Sequence, residues 1–212
     1  MKQNINKILA FYLITLIFFS IFYLYFKFQT GNDSTIAEWL INYEGGFTKR
    51  GLVGQISVII SRLIDIDLRL TIFILQSLAY CIYFICIFNF FKFYEFNRIS
   101  LLALFSPIFI LYPIAEIEVL ARKEILVFIL YFLYLFIPNN KFYKNLGLSI
   151  YFSFAILIWE PVIFYMPIFI AIEIISRVIQ KINFELVKVL LSFIPGVLIG
   201  IYIAFYPLDN DS

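Results

Sequence analysis

Residues 146–175 read LGLSIYFSFAILIWEPVIFYMPIFIAIEII. The run is apolar from end to end apart from Glu160 and Glu173. It is longer than the roughly 20 helical residues that cross a bilayer. Basic residues flank both ends, with Lys141 and Lys144 before it and Arg177, Lys181 and Lys188 after it. Cytoplasmic loops carry the excess of Lys and Arg, so one crossing would leave a basic flank on the wrong side. The chain is therefore predicted to turn at Trp159-Glu160-Pro161 and return. Pro161 suits that turn, because it lacks an N–H and disfavours a helical residue before it. Glu160 then lies several ångströms below the outer surface, in a dip or cavity.

The rest of the chain has the same character. Of 212 residues, 63% are hydrophobic and 14% charged, against roughly 25% charged in a soluble domain. Too little polar side chain is present to cover a water-facing surface. The apolar runs are long and do not alternate, which excludes a transmembrane β-barrel and predicts an all-α polytopic membrane protein. About seven segments are read, over Ile8–Phe26, Leu70–Phe91, Ile99–Ala115, Ile125–Ile137, Leu146–Ile158, Val162–Ile175 and Val189–Tyr206. The first follows MKQNINK without a small-residue cleavage site and reads as a signal anchor. No linker or repeat divides the chain, so residues 1–212 are expected to form a single integral membrane domain, with 27–69 as a long outer loop.

Charge fixes the orientation. With the N-terminus cytoplasmic, the inner side holds nine basic residues against three acids, and the outer side seven against eleven. That asymmetry is the positive-inside pattern. It makes the basic residues topological markers rather than a nucleic-acid surface. The run Ile125–Ile137 is too short to span and ends at Pro138. Counting back roughly 20 residues from Pro138 puts Arg122, Lys123 and Glu124 within the outer leaflet. The chain has no His, which excludes Ser-His catalysis and any metal site or proton relay built on imidazole. No metal or other cofactor is expected. Cys81 and Cys86, five apart on one helix, cannot form a disulfide and read as buried apolar thiols.

Three charged features thus converge on the outer side: the loop from Lys27 to Arg69, the tip AEIEVLARKE (115–124) and the tip WEP (159–161). Ionisable groups at membrane depth are costly and face water-filled cavities or one another. Within the loop, Asp33 or Ser34 can cap a short helix through Tyr43, with Ile36, Trp39, Leu40 and Tyr43 on one face. A second helix is predicted from about Gly51 to Ile64. Both are too short to span, and two amphipathic helices on the outer membrane surface fit better. Between them NYEGGFTKRGLVG (42–54) offers a carboxylate, backbone N–H groups and two cations near a helix start. That combination suits a phosphate or pyrophosphate. Plainer readings stand beside it. Gly45 and Gly46 make a tight turn, Lys49 and Arg50 snorkel, Glu118 pairs with Arg122 four residues on, and Glu160 pairs with Arg122 or Lys123.

NYEGGFTKRGLVG resembles the GGF-x-x-RGL-x-G signature of polytopic proteins found with bacterial envelope polysaccharide genes. ARKEIL and WEP, following in that order, resemble the later motifs of that family, with Trp159 standing where His would be expected. The layout of one span, a long outer loop with an acid and two surface helices, then further spans is similar to GT-C glycosyltransferases. The resemblance runs from the N-terminus to about Tyr165. It implies a multi-pass protein of the bacterial inner (cytoplasmic) membrane that uses a polyprenyl-phosphate sugar donor. A loop carboxylate, Glu44 or in its place Asp33, would deprotonate the acceptor hydroxyl. Lys49, Arg50, Arg122 and Lys123 would hold the lipid phosphate, and Glu160 would orient one of these cations. Gly45, Gly46 and Glu118 would support the site. Two other readings use the same residues: a transporter or flippase for an anionic lipid or solute, and a non-catalytic subunit of a larger envelope assembly complex.

Overall fold

A computed structural model describes residues 2–30, 34–44, 46, 48–92, 102, 104, 106, 120–138, 140–179 and 185–206. Among them the secondary structure is entirely helical: α1 (Lys2–Thr30), α2 (Ser34–Leu40), α3 (Gly51–Ile64), α4 (Leu68–Phe91), α5 (Glu124–Leu135), α6 (Lys141–Ile158), a 3-10 segment (Glu160–Tyr165), α7 (Met166–Ile179), α8 (Leu186–Leu191) and α9 (Ile194–Phe205). Four helical stretches are long and apolar enough to cross a membrane: Ile5–Thr30, Leu68–Phe91, Glu160–Ile179 and Leu186–Phe205. α3 and α5 are apolar but shorter. The run expected over 99–115 lies outside the described residues except at positions 102, 104 and 106. The chain forms two compact units interleaved in sequence, residues 1–40 with 57–125 and residues 41–56 with 126–212.

The first unit is built on an antiparallel pair, α1 against α4. Leu9, Leu13, Leu16, Ser20, Leu24 and Lys27 recur at helical spacing along α1 and are all buried. Ile72, Gln76, Ala79, Tyr80, Tyr83, Phe84 and Ile87 of α4 are buried likewise. Phe11, Ile14, Phe18 and Phe22, on the other side of α1, are exposed. An apolar stripe of that size would be an aggregation hazard in water, and in hydrocarbon it is at home. Lipid tails are as apolar as the side chains, so the pairing rests on close packing and hydrogen bonds. Asn6 donates to the Lys92 carbonyl at one end.

At the other end Arg69 donates Nε to the Phe28 carbonyl at 2.9 Å and Nη2 to the Lys27 carbonyl at 3.1 Å. The last carbonyls of a helix have no partner within it, and the macrodipole there favours a cation. Arg69 meets both needs from the first turn of α4, which Asp67 caps through the Arg69 and Leu70 N–H groups. Arg69→Gln is expected to lower stability by roughly 1–3 kcal/mol, the worth of hydrogen bonds from a charged donor. Equilibrium unfolding in mixed micelles measures it, and Arg69→Lys should recover part of the loss.

The second unit contains a helical bundle. Tyr131 and Tyr134 of α5 lie 5.4 and 6.0 Å from Tyr151 of α6. A side chain added at Gly147 would collide with Ile137, so α5 and α6 run antiparallel, the Asn140 N–H bonding back to the Pro138 carbonyl. Asn140 caps α6 through the Phe142 N–H at 2.9 Å. α6 ends where the WEP turn was expected. Trp159 is extended, its N–H still bonded to the Ala155 carbonyl, and Pro161 opens the 3-10 segment. The chain then doubles back. Phe169 of α7 packs 5.6 Å from Tyr151, and Arg177 bonds Asn145 near the start of α6. The last apolar run is broken, because Ser192 and Phe193 close a tight turn and Pro195 cannot donate. α9 then packs on α6, with Phe193 4.9 Å from Phe152 and Gly196 closely apposed to the same ring. Charge collects at the two ends of this bundle. Glu160 sits at the α6–α7 turn, and Lys141, Arg177, Glu185 and Lys188 line the opposite end.

Candidate functional site

The NYEGGFTKRG segment belongs to the second unit, and its shape follows from a few polar side chains. Asn42 Oδ1 accepts the Glu44 N–H at 2.9 Å, and Gln55 Oε1 of α3 accepts the Tyr43 N–H at 3.1 Å. These bonds divert N–H groups that a helix would need, so α2 ends at Leu40 and not at Tyr43 as the apolar spacing suggested. Gly46 sits at φ 113°, a conformation reserved for glycine. Its N–H returns to the Tyr43 carbonyl at 3.2 Å. Gly51 opens α3, and a β-carbon there would run into the Tyr43 ring. The ring therefore lies directly on the helix start, and burial pushes the Tyr43 phenol above its ordinary pKa.

Arg50 stands between the loop and α3 with φ 60°. A left-handed backbone costs a non-glycine residue about 1–2 kcal/mol. Strain of that kind persists only where the surroundings over-determine it, and it clusters at ligand clamps. Here Arg50 Nε donates to Glu160 Oε2 at 2.8 Å, joining positions 110 residues apart in sequence. Both side chains remain about three-tenths exposed. The bond is short, and partial screening leaves it on the order of 1 kcal/mol. Its chemical consequence is larger than its energy. Glu160 fixes the plane of a guanidinium that solvent still reaches. Trp159 beside it stacks on Tyr165 at 5.9 Å, which braces the turn.

The expected site residues divide between the units. Glu44 and Lys49 are exposed in the same loop as Arg50. Glu160 was expected beside Arg122 or Lys123, and the structure gives it Arg50. Arg122 and Lys123 belong to the first unit, where Arg122 lies 3.9 Å from Glu124. Lys123 is fully buried. Asp33, Gly45 and Glu118 lie outside the described residues.

The turn that carries Arg122 is held from three directions. Lys27 Nζ donates to the Leu120 carbonyl at 2.9 Å, Trp39 Nε1 donates to the Ala121 carbonyl at 2.6 Å, and Tyr80 Oη accepts the Ala121 N–H at 3.0 Å. Ala121, wholly buried, sits at φ 76°. From the sequence, Trp39 reads as part of the apolar face of α2 and Lys27 as a loop charge, and neither is given a bond to this turn. Lys27 and Trp39 sit near the ends of α1 and α2, where the 27–69 loop begins and turns, and that position was the signal available. Gln55 and Tyr43, which shape the Arg50 loop, left no such signal. The chain matches no protein-family model, no curated protein and no solved structure.

Proposed function

We propose that the chain is a multi-pass protein of the bacterial inner membrane, N-terminus cytoplasmic, that transfers a sugar from a polyprenyl-phosphate donor at its outer face. The observation that carries this reading is Arg50, strained at φ 60° and oriented by Glu160 at 2.8 Å beside an exposed carboxylate-bearing loop. α3 fits an outer-surface position, since Ile56, Ile59 and Leu63 form an exposed apolar stripe on a helix too short to span.

In the reaction the acceptor oxygen bonds to the anomeric carbon as the bond from that carbon to the phosphate oxygen breaks. The acceptor proton passes to Glu44, and the lipid phosphate leaves onto Arg50 and Lys49. Preset cations act on charge that grows in the transition state, and a carboxylate supplies the base. Neither step calls on imidazole.

Two measurements on the full chain in nanodiscs test the proposal. The protein should retain polyprenyl phosphate in preference to polyprenol, and Arg50→Lys should weaken that retention by roughly tenfold, because an ammonium lacks the planar fork. Radiolabelled polyprenyl-phosphate hexose should be consumed once a membrane extract supplies the acceptor hydroxyl. Equal retention of phosphate and alcohol would remove the phosphate site. Movement of the labelled lipid across the bilayer without chemical change would make the protein a transporter.

A further inference from the structure

The opposite end of the second unit holds a different kind of site. A cavity of about 390 Å³ is lined by Lys141, Phe142, Asn145 and Leu146 of α6, Arg177 of α7, and Glu185 and Lys188 around the start of α8. Arg177 is 4% exposed. Its Nε donates to Glu173 Oε2 at 3.3 Å and its Nη1 to Asn145 Oδ1 at 2.8 Å. Its Nη2 is buried, with the Tyr134 hydroxyl nearby but no well-aligned hydrogen bond among the described residues. A charged donor left unmet in a protein interior is costly and rare, and such a group calls for an explanation.

Glu173, itself buried, balances one positive charge behind the cavity wall. Lys141 and Lys188 remain, opposed only by Glu185 among the described lining residues. Glu185 is bound to Lys188 at 2.8 Å, an exposed pair whose carboxyl is held below its usual pKa by that hydrogen bond. Such pairs exchange partners readily. The wall is therefore cationic, with the Arg177 guanidinium set into it. Phe142 and Leu146, both exposed, extend apolar surface from its edge. Free phosphate has no use for that apolar rim, whereas a lipid headgroup brings acyl chains to cover it.

We infer that this cavity binds the headgroup phosphate of an anionic membrane lipid, with Arg177, Lys141 and Lys188 on the phosphate oxygens and the acyl chains along Phe142 and Leu146. It lies at the α5–α6 turn end of the bundle, away from Glu160, so it is separate from the proposed transfer site. By the charge reading that end faces the cytoplasm, where basic pockets between membrane helices take anionic headgroups.

The test uses the full chain in phosphatidylcholine nanodiscs, titrated with short-chain phosphatidylglycerol and, separately, with inorganic phosphate. Native mass spectrometry counts bound lipid. Saturable binding of one phosphatidylglycerol is expected, with roughly fivefold weaker affinity for each lysine removed, in Lys141→Gln and Lys188→Gln. Both lysines are on the surface, so these variants fold. Arg177→Lys, which keeps the charge for Glu173 and loses the spare nitrogen, should weaken binding further. Inorganic phosphate binding as tightly as the lipid would overturn the lipid assignment. Equal affinity of the wild-type chain and the double lysine variant would overturn the site.

Discussion

Glu44→Gln is expected to lower transfer of the lipid-linked sugar by roughly 10²–10⁴-fold, the usual worth of a positioned general base. The substitution keeps the size of the side chain and removes its basic lone pair. The turn is set by the Glu44 N–H on Asn42, the Tyr43 N–H on Gln55, and Gly46, none of which involves the Glu44 carboxyl. Retention of polyprenyl phosphate should therefore be unchanged while turnover falls. Transfer that survives Glu44→Gln shifts the role to Asp33. Transfer that survives both Glu44→Gln and Asp33→Asn would remove this loop from the chemistry.

The second large effect is structural. Trp39→Ala is expected to cost roughly 3–5 kcal/mol, the range for deleting a fully buried aromatic side chain. Trp39 is 1% exposed, and its indole N–H is the donor to the carbonyl of strained Ala121. Trp39→Phe keeps most of the buried surface and loses that bond, so it should cost about 1 kcal/mol. Unfolding in mixed micelles measures both variants. Similar losses in the two would mean that the hydrogen bond, not the packing, holds the Leu120-Ala121 turn.

These cases also show what the sequence reveals. Helix positions were legible, because long apolar runs in a chain so poor in charge have no other use. α3 occupies Gly51–Ile64 as expected, and the hairpin at Trp159-Glu160-Pro161 follows from two basic flanks and one proline. Boundaries failed where a distant side chain intervened. α2 stops short of Tyr43 because Gln55, on another helix, takes the Tyr43 N–H. Pairings failed for the same reason. That Glu160 would meet a cation was legible from the apolar run around it. That the cation is Arg50 depends on a left-handed residue that no composition announces. Arg69 read as one more outer charge, and its work on the end of α1 appears only once α1 and α4 lie side by side.

The central claim is that the Arg50–Glu160 end of the bundle faces outward and the Arg177 end faces the cytoplasm. Single cysteines at Thr48 and Lys141, placed in a chain with Cys81 and Cys86 replaced by Ala, report this directly. In intact cells an impermeant maleimide is expected to label position 48, and position 141 only after lysis. Labelling of position 141 from outside, with position 48 protected until lysis, would contradict the account.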